Sequence, residues 1–214
     1  MPPSSRFTAH ASLLALVLAS AWAGAATPTV PAAAAQCAAC HGGDGNNGDN
    51  STGSGAPSLA GQLPAYIKLQ LANFKSGERP HAAMQAIATG LTARQIDSLS
   101  AWYGAAPPAI AVAEDWMPKP DPAELARGKQ VFEHGAGGAP ACATCHGERG
   151  EGQAAPVLYP RIASQDPAYT AEQLKVYRSA PSFKNPLAMV MKSVAVKLSE
   201  ADAQAVSLYL STVK

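Results

Sequence analysis

The stretches CAACH at residues 37–41 and CATCH at residues 142–146 contain all four cysteines of this 214-residue chain. Cys-x-x-Cys-His is the pattern by which haem c is attached to proteins. Its two thiols lie one short turn apart and can bond the two vinyl groups of one porphyrin, and the following His can ligate the iron. The sequence therefore predicts two covalently bound haem c groups, attached at Cys37, Cys40, Cys142 and Cys145 and ligated by His41 and His146.

Paired Cys-x-x-Cys motifs have other possible uses, which this sequence disfavours. A zinc site needs four converging ligands, which the two pairs could supply, but it would leave the His after each pair unexplained. A redox-active Cys-x-x-Cys usually lies at a strand-to-helix junction of an α/β fold, and the chain shows no alternating strand pattern. Disulfide bonds among the four cysteines are a further competing interpretation.

The N-terminus has the features of an export signal. Arg6 gives a positive start, an apolar run of about eleven residues follows, and small residues offer cleavage sites near Ala23 to Ala26. The run is shorter than the roughly twenty residues that span a bilayer. We therefore predict a cleaved signal peptide over residues 1–26 and a periplasmic location, with peripheral membrane association left open.

Charge excludes one class of partner. Residues 27–115 carry four basic and six acidic side chains, and residues 116–214 carry eleven basic and nine acidic ones, so the halves differ only from −2 to +2. The chain has no basic run with interleaved aromatic residues, so nucleic-acid binding is not expected.

The chain contains an internal repeat. The haem motifs lie 105 residues apart, and the segment from Pro57 through Gln62 to Tyr66 matches the segment from Pro160 through Gln165 to Tyr169. Matching residues continue to the last helix of each copy, with an offset that drifts only from 103 to 107. The sequence therefore predicts a duplicated domain.

A proline-dense stretch separates the two copies. Residues 105–120 contain four prolines. This density excludes a regular helix and indicates a semi-rigid linker. Within each copy the apolar spacing is helical, and residues 42–55 form a glycine-rich loop. We predict an all-α fold of two tandem cytochrome c-like domains, with the boundaries 27–104 for domain 1, 105–120 for the linker and 121–214 for domain 2.

Several residues predict where helices begin. Asp121 can cap a helix that has Pro122 at its first position, and Pro64 and Pro167 stand at equivalent starts in the two copies. Thr92 and Ser199 have the position and chemistry of N-caps, and they complete the list of predicted helix starts.

The second axial ligand of each iron decides what the haem can do. Met84 and Met191 occupy equivalent places in the repeat, 43 and 45 residues after their respective histidines. A thioether ligand closes the iron and favours the ferrous state, which suits an electron carrier. We predict both as ligands. Met189 remains an alternative to Met191, and His81 is a weaker rival of Met84 because the second copy has no counterpart to it.

These motifs resemble those of the dihaem cytochrome c4 family, in which two class I cytochrome c domains are joined in tandem. The resemblance covers nearly all of the chain after the signal peptide. It implies that Pro57 and Pro160 each supply a carbonyl to the ring of the iron-ligating His. It also implies periplasmic electron transfer, with a quinol-oxidising complex, a periplasmic dehydrogenase or a terminal oxidase as partners, and no catalytic site of its own.

The sequence departs from the family at the start of the first domain. Family domains usually open with a full helix, whereas this copy has only residues 31–36 before the haem motif, leaving less cover over Trp102. This leaves room for an alternative function as the dihaem subunit of a periplasmic dehydrogenase, such as a flavocytochrome sulfide dehydrogenase. A haem enzyme with one open iron, such as a peroxidase or a thiosulfate dehydrogenase, is a third hypothesis.

The small size of each predicted domain indicates that the haem also has a structural role. A domain of about 90 residues buries a modest core on its own, and a covalently held porphyrin adds a large apolar body for the chain to fold around. We expect the protein made without haem to lack the near-ultraviolet circular dichroism of a packed fold. Native-like near-ultraviolet dichroism in the haem-free protein would contradict this.

Overall fold

The computed structural model describes residues 29–47, 53–110, 120–180 and 183–214. The predicted signal peptide and residues 111–119 of the predicted linker lie outside the described residues. Within those ranges a 3-10 helix, Ala32–Ala34, precedes the α-helices, which are α1 (Ala35–His41), α2 (Pro64–Ser76), α3 (Ala82–Thr89), α4 (Ala93–Ala105), α5 (Pro122–His134), α6 (Ala143–His146), α7 (Pro167–Ser179), α8 (Pro186–Ala195) and α9 (Glu200–Ser211).

The helical class predicted from the sequence is confirmed. The described residues contain no β-strand, and their one strand-like pairing is an isolated bridge between Gln153 and Tyr159. None of the helices in the described ranges is long and apolar enough to cross a membrane.

Local capping explains where the helices begin. Asp121 accepts a hydrogen bond from the backbone of Ala123 at the start of α5, and the Ser199 side chain accepts one from the backbone of Asp202 at the start of α9. Thr92 closes a reciprocal capping box with Gln95 at the start of α4. Each side chain satisfies a backbone donor that the helix itself leaves open.

In the first half, helix α2 packs against α3 and α4. The shared core consists of buried apolar side chains on these helices and their connections, which are Ala34, Ile67, Leu71, Phe74, Ala88, Leu91, Ile96, Leu99 and Tyr103. The cluster also touches Cys37, so the core of this half extends to the haem motif.

In the second half, helix α5 lies along α9, and α7 packs against α8 and α9. The crossing of α5 and α9 is close at Gly128, where an added Cβ would lie 2.1 Å from the carbonyl oxygen of Ala205. Only glycine allows the two backbones to approach this far. Val131 and Phe132 of α5 then fill the core with Val206 of α9.

An ion pair between the buried Asp202 and the partly exposed Arg127 joins the two helices at this crossing. The Arg127 guanidinium on α5 contacts Oδ1 of Asp202 on α9 through Nε at 2.7 Å and Nη2 at 2.6 Å. The other carboxylate oxygen accepts a 2.8 Å hydrogen bond from the Ser199 hydroxyl. The bonds from Ser199 and then Arg127 lower the pKa of Asp202.

The helical segment before the haem motif is shorter in the first half than in the second, as expected. Of the described residues before its haem motif, Ala32–Ala34 form the 3-10 helix that contacts α4, in place of the long α5 that covers α9. Trp102 on α4 remains half-buried and lies edge-on to Tyr103, with 4.5 Å between the ring centroids.

The two halves contact each other through a pair of equivalent glutamines. The Gln62 side chain donates from Nε2 to the carbonyl oxygen of Arg161 at 2.9 Å, and its Oε1 accepts from the Arg161 backbone N–H at 2.9 Å. In the opposite direction, Gln165 donates to the carbonyl oxygen of Ser58 at 3.1 Å and accepts from its N–H at 2.8 Å. The interface therefore repeats the internal symmetry of the sequence.

Arg79 adds a contact that the repeat does not duplicate. Its guanidinium donates from Nη2 to the Tyr169 hydroxyl at 3.0 Å and to Oε1 of Gln173 at 2.9 Å, both in the second half. It also lies 4.8 Å from the centre of the Phe74 ring, within the range of a cation–π interaction. Arg79 thus binds α7 to the first half.

The Arg127–Asp202 pair gives a pH-dependent prediction. Replacement Asp202→Asn should lower the free energy of unfolding by about 1–3 kcal/mol at neutral pH, because a bonded, largely buried carboxylate is lost. Since the folded-state pKa of Asp202 is lowered from 3.8, its contribution is present above 3.8 and is lost as the pH falls through the lowered value. The two proteins should therefore converge in stability in acid.

The measurement is urea unfolding of the haem-bound protein at neutral and at acid pH. Glu200→Gln is the matched control, because Glu200 lies exposed in the first turn of the same helix. A loss of stability in Asp202→Asn that stays constant at every pH would contradict this account.

Candidate haem sites

The first predicted iron ligand, His41, is the last residue of α1 and is buried. Its Nδ1 lies 2.8 Å from the carbonyl oxygen of Pro57. A carbonyl oxygen can only accept, so Nδ1 carries the proton and the lone pair of the neutral ring is on Nε2. This is the tautomer and orientation that a metal-bound histidine requires.

The second haem motif has the same arrangement. His146 ends α6, is buried, and has its Nδ1 2.8 Å from the carbonyl oxygen of Pro160. Burial lowers the pKa of both His41 and His146, with the proline hydrogen bond acting in the opposite direction. Both rings are therefore neutral at neutral pH and present an unprotonated nitrogen.

Equivalent glycines hold the two proline loops in place. The carbonyl oxygen of Gly45 accepts hydrogen bonds from the two residues before Gly61, and that of Gly150 accepts them from Ile162 and Ala163. Gly45 has φ +82°, and a Cβ there would lie 2.6 Å from the Tyr103 ring. Gly150 likewise has φ +73°, a conformation that side chains rarely adopt, so glycine is required at both of these turns.

The cysteines lie beside these histidines. Cys37 and Cys40 lie on α1 with His41, and Cys142 and Cys145 lie at the N-cap and within α6. Burial raises the pKa of Cys37, and it raises that of Cys142 to about 11, so these two residues are present as thiols at neutral pH.

The residues of both sites fit a haem group. Cys37, Cys142 and Cys145 carry free thiols, and each histidine offers the correct ring nitrogen. Next to Pro160, the buried Nε of Arg161 has no hydrogen-bond partner among the described residues. An unpartnered buried donor beside the histidine loop suits the propionate of a porphyrin.

Met84 lies near the first haem motif. It occupies the first turn of α3 and packs against the cluster that also contacts Cys37 and Leu59. His81, the rival ligand, is the N-cap of this helix, and its Nδ1 accepts a hydrogen bond from the Met84 backbone at 3.2 Å. A capping role thus accounts for His81.

Equivalent turns in the two halves align Met191 with Met84. Ala88 and Ala195 are both fully buried and each accepts a backbone hydrogen bond from the leucine three residues later. Met84 and Met191 both lie four residues before these alanines. Met191 is half-buried on α8, whereas Met189 is 40% exposed and its sulfur accepts a hydrogen bond from the Phe183 backbone at 3.3 Å. The structural register favours Met191.

Comparison with known proteins matches each half of the chain to a cytochrome family model. The family model described as Cytochrome c matches residues 125–214, and the model described as Cytochrome C oxidase, cbb3-type, subunit III matches residues 26–102. Cytochrome c4 of Thiocapsa roseopersicina is 35% identical, over 72% of this chain and 77% of that protein.

Two further relatives are informative. The thiosulfate dehydrogenase electron acceptor of Thiomonas intermedia (strain K12) is 33% identical, over 74% of this chain and 70% of that protein. The crystal structure of reduced recombinant cytochrome c4 from Pseudomonas stutzeri matches with a TM-score of 0.72 at 30% identity, over 85% of this chain and 95% of that chain.

Two helical domains, each with a Cys-x-x-Cys-His motif and a histidine oriented by a proline carbonyl, define a dihaem c-type cytochrome. With this sequence and structural similarity, the chain belongs to the cytochrome c4 family. It is therefore an electron-transfer protein with two covalently bound haem c groups. When bound, each haem would supply an iron able to cycle between the ferric and ferrous states.

The choice between the two methionines of α8 can be tested. We expect Met191→Ala to abolish the methionine–iron charge-transfer band of the second haem in the ferric protein, because the sulfur ligand is removed. Met189→Ala is the matched control on the same helix and should keep the band. The measurement is the red-end absorption spectrum of the oxidised protein, and loss of the band in Met189→Ala alone would reverse the assignment.

Proposed function

We propose that this protein is a periplasmic carrier of single electrons, which accepts them from a dehydrogenase and passes them to a terminal oxidase or another respiratory acceptor. His41 and Met84 would close the first iron, and His146 and Met191 would close the second. With both axial positions filled by protein, neither iron has room for a substrate, and the protein has no catalytic site of its own.

The observation that carries this proposal is the equivalence of the two sites. Each half holds a neutral histidine 2.8 Å from a proline carbonyl, and each has a methionine four residues before a buried alanine. An enzyme that works at haem needs an open iron, so two irons closed in the same way favour electron transfer over chemistry on a substrate.

A sulfur-oxidising dehydrogenase is the donor that the relatives favour. Two proteins described as thiosulfate dehydrogenase electron acceptors are each 33% identical to this chain and match it over 74% and 75% of its length. We propose that a periplasmic thiosulfate dehydrogenase reduces this protein. The signal peptide predicted over residues 1–26 supports export to the compartment where such a donor would act.

One feature favours a second candidate, a dihaem subunit of a larger dehydrogenase. In the described residues, the short 3-10 helix Ala32–Ala34 contacts α4, whereas the long helix α5 lies along α9 in the second half. A catalytic subunit of the flavocytochrome sulfide dehydrogenase kind could pack on this side. Isolation of the native protein in a stable complex with a flavoprotein would favour this candidate over a free carrier.

Rapid mixing of the ferric protein with thiosulfate and a purified thiosulfate dehydrogenase tests the proposal. Both haems should become reduced, at a rate that depends on dehydrogenase concentration, and thiosulfate alone should reduce neither. Carbon monoxide should bind little to the reduced protein at neutral pH, because both irons are closed.

Two outcomes would contradict the carrier function. Stoichiometric carbon monoxide binding to one haem would indicate an open iron and hence an enzyme. Oxidation of thiosulfate by this protein alone, with an artificial electron acceptor, would indicate the same.

A further inference from the structure

The peptide groups that follow Pro57 and Pro160 each make two hydrogen bonds in opposite directions. The carbonyl of Pro57 accepts from His41 of its own half, while the N–H of the same peptide, on Ser58, donates to Gln165 of the other half at 2.8 Å. Each such peptide therefore lies between one iron ligand and the opposite domain.

The second half repeats this arrangement with the domains exchanged. The carbonyl of Pro160 accepts from His146 at 2.8 Å, and the N–H of the same peptide, on Arg161, donates to Gln62 of the first half at 2.9 Å. Two series of linked hydrogen bonds thus cross the interface. Each runs from a histidine, through a proline peptide, to a glutamine of the other domain.

Both glutamines are held firmly in this position. Gln62 and Gln165 are 8% and 9% exposed, and each side chain bonds both the N–H and the carbonyl of its target residue. Each Oε1 also accepts from the next residue of its own chain, Leu63 or Asp166, at 2.9 and 3.0 Å. In a buried, weakly polar setting such bonds are stronger than in water and polarise one another.

Polarisation of a peptide reaches the iron ligand. A hydrogen bond to the N–H side of a peptide makes its carbonyl a better acceptor, so the carbonyl draws the Nδ1 proton of the histidine more strongly. The ring then donates more electron density through Nε2 and stabilises the ferric state. The glutamine would therefore lower the reduction potential of the haem in the opposite domain.

We propose that Gln62 and Gln165 are positioning residues that set the reduction potential of the haem in the other domain, Gln62 for the haem of His146 and Gln165 for the haem of His41. The proposal rests on the iron ligation by these two histidines proposed above. It makes each potential depend on contact between the domains, so any partner that alters the interface alters both haems.

Replacement Gln62→Leu tests the claim. It should shift the equilibrium of the second haem toward the ferrous form by about threefold, a rise of about 28 mV at 59 mV per decade, and leave the first haem unchanged. The measurements are an optical redox titration and proton nuclear magnetic resonance of the Nδ1–H of each iron-bound histidine. Only the resonance of His146 should move.

Gln165→Leu is the mirror variant and should affect the haem of His41 alone. The matched control is Gln173→Leu, which removes the same side chain from the same interface, where Gln173 binds Arg79 rather than a proline peptide. The control should move neither potential. If a leucine variant fails to bind haem, Gln62→Asn and Gln165→Asn remain polar and are too short to make the same bonds.

Three results would overturn the proposal. These are a shift confined to the haem of the mutated domain, no shift in either haem, and an equal shift in the Gln173→Leu control. The spectrum of the unmodified protein distinguishes these from a failure of the proposed function, because missing histidine–methionine ligation would already be visible there.

Discussion

The hydrogen bond from a buried histidine to a proline carbonyl is the interaction on which both haem sites depend. It fixes the proton on Nδ1, leaves the lone pair on Nε2 and orients the ring in each half. The surrounding loops are built to maintain it. Gly45 and Gly150 return the chain so that Pro57 and Pro160 face their histidines. Because the same peptide also bonds the opposite domain, the site and the interface form one unit.

The helices that surround the haem site pack differently in the two halves. In the second half, α5 lies along α9 through a glycine contact and the Arg127–Asp202 ion pair. In the first half, α4 packs against α2, with an exposed Lys68–Asp97 ion pair between them, and the short 3-10 helix Ala32–Ala34 contacts α4 in place of a long α5. Gln62 and Arg79 of the first domain add contacts to the second domain beside this intradomain packing.

Much of the fold could be predicted because its signals are local. A proline at the first helical position, as at Pro64 and Pro167, and a capping side chain, as at Ser199, act within one turn of the chain. The haem motifs are local too, since three residues within five positions define them. The pairing of each histidine with a proline 14 or 16 residues away came from family resemblance, and the structure contains both hydrogen bonds.

The sequence could not indicate the roles of Gln62, Gln165 and Arg79, because their partners lie 90 or more residues away along the chain. Repetition of the glutamine in both copies was the available signal, yet it gives no direction for the side chain. Arg79 lacks even that signal. The choice between Met189 and Met191 stays a prediction as well, since both lie on α8 and their sequence positions alone do not separate them.

We propose that the chain holds two haems, each closed by a histidine and a methionine, in two domains joined through one interface. The decisive measurement is an optical redox titration of the purified haem-bound protein. It should show uptake of two electrons per chain in two one-electron steps, with the methionine–iron band of the ferric form disappearing across both. Uptake of one electron per chain, or a ferric protein without that band, would contradict it.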